Sequence, residues 1–528
     1  MMRKLKYVLL GYVAVIPQLV HGNPPLSLNP PFGEDMILQR NALNALAGTA
    51  APGKEVTIEL LGTSVTGRSD ETGCWKIKLP VPENPGGPYP LTVRCERENI
   101  SLTNVLIGDL WLCSGQSNMV WPVRASLNGA GETAAANQPL LRLLRLPMIG
   151  SATPLDTIGV RWTPCVPDTA SGFSGVGYFF GREITRATGV PVGLIQAAWS
   201  GQKAESFTRI EVLEKVPELA EVMKTYRLRV TPERLAAMSE KYASDLHAWE
   251  KARTDALSVG KPEPRRPRAP KGSSESGELP GTIWNGMLHP LLSLPITGVI
   301  WYQGEANTPN APRYAPTLEA MIGDWRSQWR RDMPFFLVQL ANIRPVSHTP
   351  EDSNWAALRE AQSVVAKSVE KSGIALAIDV GLESGAHPPD KQSVGGRLAL
   401  LALRRHYGKT LDDTGPVFEK LDIQGSEVRV FFRNGEGLHT RDGKPPRGFA
   451  LAGTDGIYHW AEAEIDGSTV KLKTSAVMAP STVRYAWAEN PGVNLSNRAN
   501  LPAEPFRTDN FLQKVKPERK PTGNGPKS

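Results

Sequence analysis

Four compact apolar runs, at residues 105–112, 192–198, 296–302 and 374–380, each stop at a loop of small and polar residues. Runs of this length read as strands covered on both faces, and the helix-like segments between them make a parallel sheet flanked by helices. The fold class expected is therefore α/β. An open parallel sheet binds ligands beyond the carboxyl ends of its strands, so the chemistry is sought in the four loops.

The first run leads into Ser114-Gly115-Gln116-Ser117-Asn118-Met119 and the second into Trp199-Ser200-Gly201-Gln202. The third leads into Gln303-Gly304-Glu305-Ala306-Asn307, and the fourth into a loop ending at His387-Pro388. A serine, a glycine, an amide and an imidazole are the parts needed for acyl transfer. A hydroxyl attacks poorly without a base in hydrogen-bond reach, so Ser117 is the expected nucleophile and His387 its base. The oxyanion needs preorganised donors, expected from the backbone N–H groups of Ser117 and Gly201 and the Gln303 amide. Taken singly, Ser117 and Gly201 read as turn residues, and Gln303 and Glu305 as buried strand-end hydrogen bonders. Their joint occurrence carries the assignment.

The surroundings remove other classes. Ser117 lies in Gly-Gln-Ser-Asn-Met, not G-x-S-x-G, and neither a phosphate loop nor H-E-x-x-H occurs. Cys74, Cys95, Cys113 and Cys165 form no C-x-x-C pair, which leaves a zinc site unsupported. A Cys74–Cys95 bridge is open, and Cys113 reads as a buried thiol. Residues 1–22 have a basic start (Arg3, Lys4, Lys6), an apolar stretch broken by Pro17 and a small Gly22. They are expected to be a cleaved export signal that sends the chain to the periplasm or outside the cell, with no stable membrane span. The formal charge of +7 falls to +4 without those three cations, and the remaining basic excess sits in linker-like and tail segments. Nucleic acid is thus not an expected partner.

Around the enzyme-like part, short β-like runs with Gly, Pro and Asp turns fill 23–104 and return in 411–510. These are read as N-terminal and C-terminal β-rich domains. The stretch 105–410 is the central domain, interrupted at about 210–280 by a helical segment opening on Thr231-Pro232-Glu233 and then a Pro/Arg/Ser-rich linker. Residues 511–528 read as a disordered tail.

Several blocks in order resemble one family. They are Phe-Gly-Glu-Asp-Met-Ile-Leu-Gln-Arg (32–40), Gly-Asp-Leu-Trp-Leu-Cys-Ser-Gly-Gln-Ser-Asn-Met (108–119), Trp-Asn-Gly-Met (284–287), Trp-Tyr-Gln-Gly-Glu (301–305) and Leu-Arg-Glu-Ala-Gln (358–362). His387-Pro388 with Lys391 and Arg-Leu-Ala-Leu (397–400), Val-Arg-Tyr-Ala-Trp (483–487) and Leu-Pro-Ala-Glu-Pro-Phe-Arg-Thr-Asp (501–509) complete the series. The chain resembles the sialate O-acetylesterase group of the SGNH hydrolases and related bacterial carbohydrate acetylesterases. The resemblance implies an SGNH-type three-layer α/β/α core, O-acetylated sugars such as sialic acids as substrates, and no metal or organic cofactor. It places the nucleophile on Ser117, the oxyanion glycine on or beside Gly201, the amide on Gln303 and the base on His387. Glu305, Asn307 and Arg359 are expected in support. The family's aspartate two or three residues before the histidine is replaced here by Gly385 and Ser384. Glu383, Asp379 or a backbone carbonyl is left to orient His387. The leading expectation is a serine esterase for acetylated sugars; the alternative is a weak or inactive esterase scaffold that binds carbohydrate.

Overall fold

The computed structural model describes residues 24–509; the expected export signal and the expected tail lie outside the described residues. The centre is a sheet built from β1 (Glu98–Gly115), β2 (Gln138–Arg145), β3 (Thr163–Cys165), β4 (Val192–Ala198), β5 (Gly298–Tyr302), β6 (Phe335–Val338) and β7 (Ser372–Ala375). Their spatial order is β7-β6-β5-β1-β4-β2-β3, parallel except for the edge strand β3. The chain fills one side of β1 first and then crosses to the other. The crevice between β1, β4 and β5 is therefore where the order reverses, the position at which such sheets bind ligands.

Every residue of β4, β5, β6 and β7 is buried, as strands covered on both faces must be. Alternate residues feed two separate cores. Leu112, Ile195, Val299, Trp301, Phe335 and Leu337 pack with the helices Tyr314–Trp329 and Asn354–Ser368. Trp111, Cys113, Leu194, Ile300, Tyr302 and Phe336 pack with the helices Gly175–Thr188 and Lys391–Arg405 on the opposite face. This is the three-layer α/β/α arrangement. Burial pushes the Cys113 thiol far above its ordinary range, so it is an inert core group.

β1 also belongs to the N-terminal β region, pairing with Ile37–Gln39 and Gly86–Cys95. The expected boundary at 104/105 falls inside this strand, so the β region and the core share one continuous element. All four cysteines are free, which answers the open question of a Cys74–Cys95 bridge in the negative: Cys74 is exposed opposite Thr49, while Cys95 is buried opposite Glu98. Within the 210–280 stretch, helix Pro232–Ser258 starts as its sequence dictates, with the Thr231 side chain accepting from Arg234 N. None of its residues is buried. At the C-terminal side, Val417–Gln424, Glu427–Arg433, Thr469–Lys473 and Glu462–Asp466 form one antiparallel sheet, and Phe449–Ala452 pairs with Thr482–Tyr485 in another. Among the described residues no helix is long and apolar enough to cross a membrane.

Candidate active site

The loops after β1, β4, β5 and β7 meet at one edge of the sheet. Gly115 ends β1 at φ 133°, and a Cβ there would stand 2.2 Å from the Tyr302 carbonyl oxygen at the end of β5. Only glycine admits so close an approach, and the chain then turns directly into the short helix Ser117–Val120. Ser117 is thus presented at the sheet edge, partly exposed.

His387 arrives from the loop after β7, 270 residues away, and its Nε2 lies 2.7 Å from Ser117 Oγ. The imidazole lies against the Trp121 ring, with centroids 5.4 Å apart and planes 18° off parallel. Burial and the neighbouring Lys391 cation push its pKa below the ordinary histidine value, favouring the neutral ring that can accept the serine proton.

Two of the three expected oxyanion donors are free to act. Ser117 is the first residue of its helix, so its N–H has no intrahelical acceptor. Gly201, at φ 76°, makes no backbone hydrogen bond through its N–H among the described residues, and Trp199 N donates to Gly115 O at 2.9 Å to hold this loop beside the Ser117 turn. Gln303 corrects the expectation. Its Nε2 donates to Gln202 O at 3.1 Å and to Asn307 Oδ1 at 2.7 Å, which uses both amide N–H groups, and its buried Oε1 has no partner. Gln303 ties the second and third loops together and has no N–H left for an oxyanion.

Asn307 does support the site: its Oδ1 also accepts from Ala204 N at 3.1 Å and its Nδ2 donates to Glu205 at 2.9 Å. Glu305 does so as well, accepting from Asn118 Nδ2 at 2.5 Å. Burial raises its carboxyl above the usual carboxylate range, against the opposing pull of Asn118 and Lys391. Arg359 is a second correction. It is fully buried and donates to the carbonyls of Leu340, Ala341, Ala488 and Glu489, stapling the end of β6 to the C-terminal segment without touching Ser117 or His387.

No carboxylate among the described residues hydrogen bonds with His387. Glu383 is exposed and makes no bond to the imidazole, because its loop carries it outward to solvent. The Asp379 side chain is buried, but it is taken by Arg397 at 2.6 and 2.7 Å and by Arg441. Burial pushes its carboxyl up, and the two guanidiniums prevail and hold it below the usual range. Three residues given no role by the sequence reading sit here. They are Asn118, which donates to Ala386 O at 2.8 Å, Lys391, which donates to Asn118 Oδ1 at 2.5 Å, and Trp121. A cation at the first position of a helix is electrostatically disfavoured, and that misfit was the available signal for Lys391.

Comparison with known proteins points the same way. The family described as carbohydrate esterase, sialic acid-specific acetylesterase, matches residues 286–399, the span that carries Gln303, Glu305, Asn307, Arg359, His387 and Lys391. Human sialate O-acetylesterase is 29% identical over 432 residues, covering 74% of this chain and 73% of that protein. The mouse enzyme is 27% identical over 522 residues, covering 89% and 92%. A crystal structure of a carbohydrate acetylesterase from Xanthomonas citri superposes with a TM-score of 0.77 at 33% identity, covering 92% of this chain and all of that one.

Proposed function

The chain belongs to the carbohydrate acetylesterases that include sialate O-acetylesterase, a family of carboxylic ester hydrolases, and from that premise we propose that it removes O-acetyl groups from sugars by way of an acetyl-Ser117 intermediate. The observation that carries this reading is the 2.7 Å approach of His387 Nε2 to Ser117 Oγ. The Ser117 hydroxyl donates its proton to Nε2 as Oγ attacks the acetyl carbonyl carbon. The carbonyl oxygen becomes an oxyanion that accepts from the N–H groups of Ser117 and Gly201. Collapse breaks the C–O bond to the sugar, His387 returns the proton to the departing sugar oxygen, and acetyl stays on Oγ. Water then gives a proton to Nε2 and attacks the same carbon; collapse breaks the bond between that carbon and Oγ, His387 returns the proton to Oγ, and acetate leaves. Every proton passes through one ring nitrogen, which a neutral imidazole provides.

The substrate class follows the relatives: acetylated sialic acids or other acetylated sugars. Acetate release from acetylated sialic acids, acetylxylan and small aryl acetates, compared by kcat/KM, tests both parts. Hydrolysis of at least one acetylated sugar is expected, and no acetate release from any of them sinks the reading. The missing carboxylate on His387 favours one other reading, a sugar-binding scaffold. Glycan affinity in the wild-type protein with no acetate release is its signature.

A further inference from the structure

The one amide at which three loops meet explains how a base without a carboxylate partner stays aimed. We propose that the Asn118 side chain, clamped between Glu305 and Lys391, is the positioning device that holds His387 toward Ser117. The inference rests on the Ser117–His387 reading and deepens it.

Asn118 directly follows the nucleophile and is buried. Its Nδ2 donates to the carbonyl of Ala386, the residue directly before the base, at 2.8 Å, and to Glu305 Oε1 at 2.5 Å. Its Oδ1 accepts from Lys391 Nζ at 2.5 Å. An ammonium group has only donors and a backbone carbonyl only lone pairs, so the amide cannot be turned over. The end of β1, the end of β5, the histidine loop and the first residue of the Lys391–Arg405 helix are thereby joined at a single side chain. Lys391 Nζ also lies over the rings of Tyr302 at 5.3 Å and Trp121 at 5.8 Å, and Trp121 stacks on His387. The base is therefore fixed from its backbone by Asn118 and from its ring face by Trp121, and both supports converge on one buried lysine. Glu305 keeps its second carboxylate oxygen buried and without a partner among the described residues, while Oε1 takes the Asn118 N–H.

The charged group that acts on His387 is Lys391, and Lys391 in turn faces Glu305 and Asp390, the cap of its own helix. Burial lowers the Lys391 ammonium to about 7 against the pull of Glu305 and Asp390.

The test is Asn118→Asp, close to isosteric, which keeps an oxygen for Lys391 but has no N–H for Ala386. With an aryl acetate as substrate, kcat falls about 10²-fold, the scale of an ångström-level misplacement, while KM stays within a few-fold. Labelling of Ser117 by an aryl phosphonate slows in parallel. The double variant Asn118→Asp/Glu305→Gln restores a donor between positions 118 and 305 but not to Ala386, and it stays slow. Wild-type kcat in the single variant, or recovery in the double, overturns the proposal. Should Asn118→Asp not fold, Lys391→Met takes its place. It lowers kcat and moves the acid limb of kcat/KM to higher pH, because the cation beside the imidazole is gone; an unchanged rate and limb overturn the proposal. Ser117→Ala, run alongside, separates the two readings. Wild-type turnover there sinks the nucleophile assignment, whereas an inactive Ser117→Ala beside a fully active Asn118→Asp sinks only the clamp.

Discussion

Gln303→Met separates a loop tie from an oxyanion donor, because the two roles predict different losses. The substitution keeps the side-chain length and removes the amide that serves Gln202 O at 3.1 Å and Asn307 Oδ1 at 2.7 Å. Asn307 cannot compensate by turning over, since its Oδ1 also accepts from Ala204 N and its Nδ2 is bound to Glu205. Only Gln202 O is left without a donor, because Asn307 Oδ1 keeps the one from Ala204 N, and the fall in unfolding free energy is about 1–3 kcal/mol. An oxyanion donor, in contrast, is worth about 10²–10³ in kcat. With no N–H to spare, Gln303 affects kcat only through loop alignment, a loss of up to about tenfold or 1.4 kcal/mol. Urea unfolding followed by tryptophan fluorescence reads the first quantity. Initial rates on an aryl acetate, taken where the variant remains folded, read the second. A drop of a hundredfold or more in kcat with stability unchanged refutes the reasoning.

Three further outcomes follow from the same geometry. The proposed mechanism needs neutral His387, whose pKa is lowered by burial and Lys391, so it predicts that activity is lost as pH falls through a value below the ordinary histidine pKa of 6.5. A kcat/KM profile whose acid limb lies above 6.5 contradicts this. Trp121→Leu removes the stacked ring and lowers kcat by about tenfold, while Trp121→Phe keeps most of it; equal rates in the two variants argue against the stack. Glu383→Gln leaves kcat within about twofold on an aryl acetate, since an exposed side chain with no bond to the imidazole has only screened, long-range influence. A large loss there restores Glu383 as the orienting acid.

The sheet was legible because its strands are buried on both faces, so 192–198 and 296–302 stand out as mostly apolar runs, interrupted by the polar Gln196 and Thr297, and their ends lead to the candidate site. The meeting of Ser117 and His387 was legible for the same reason: each follows a run whose place in a parallel sheet is dictated by hydrophobic burial. The boundary at 104/105 was not, because β1 passes from a sheet with a solvent-facing side into a fully covered one, and only the burial pattern changes there, not the strand. The direction of the Gln303 amide and the reach of Arg359 are set by which carbonyls lie nearby, and those belong to segments distant in sequence. Asn118 and Lys391 stood in plain view beside Ser117 and His387, but their hydrogen bonds depend on three loops meeting at 2.5–2.8 Å, which spacing along the chain does not encode.

The most direct measurement is the covalent state of Ser117 when the protein is quenched during the first turnover of an acetylated sugar or an aryl acetate and its peptides are weighed. The account predicts one acetyl group on the peptide containing Ser117, absent from Ser117→Ala, which also ceases to release acetate. Steady acetate release from an unmodified Ser117, with Ser117→Ala turning over at the wild-type rate, contradicts it.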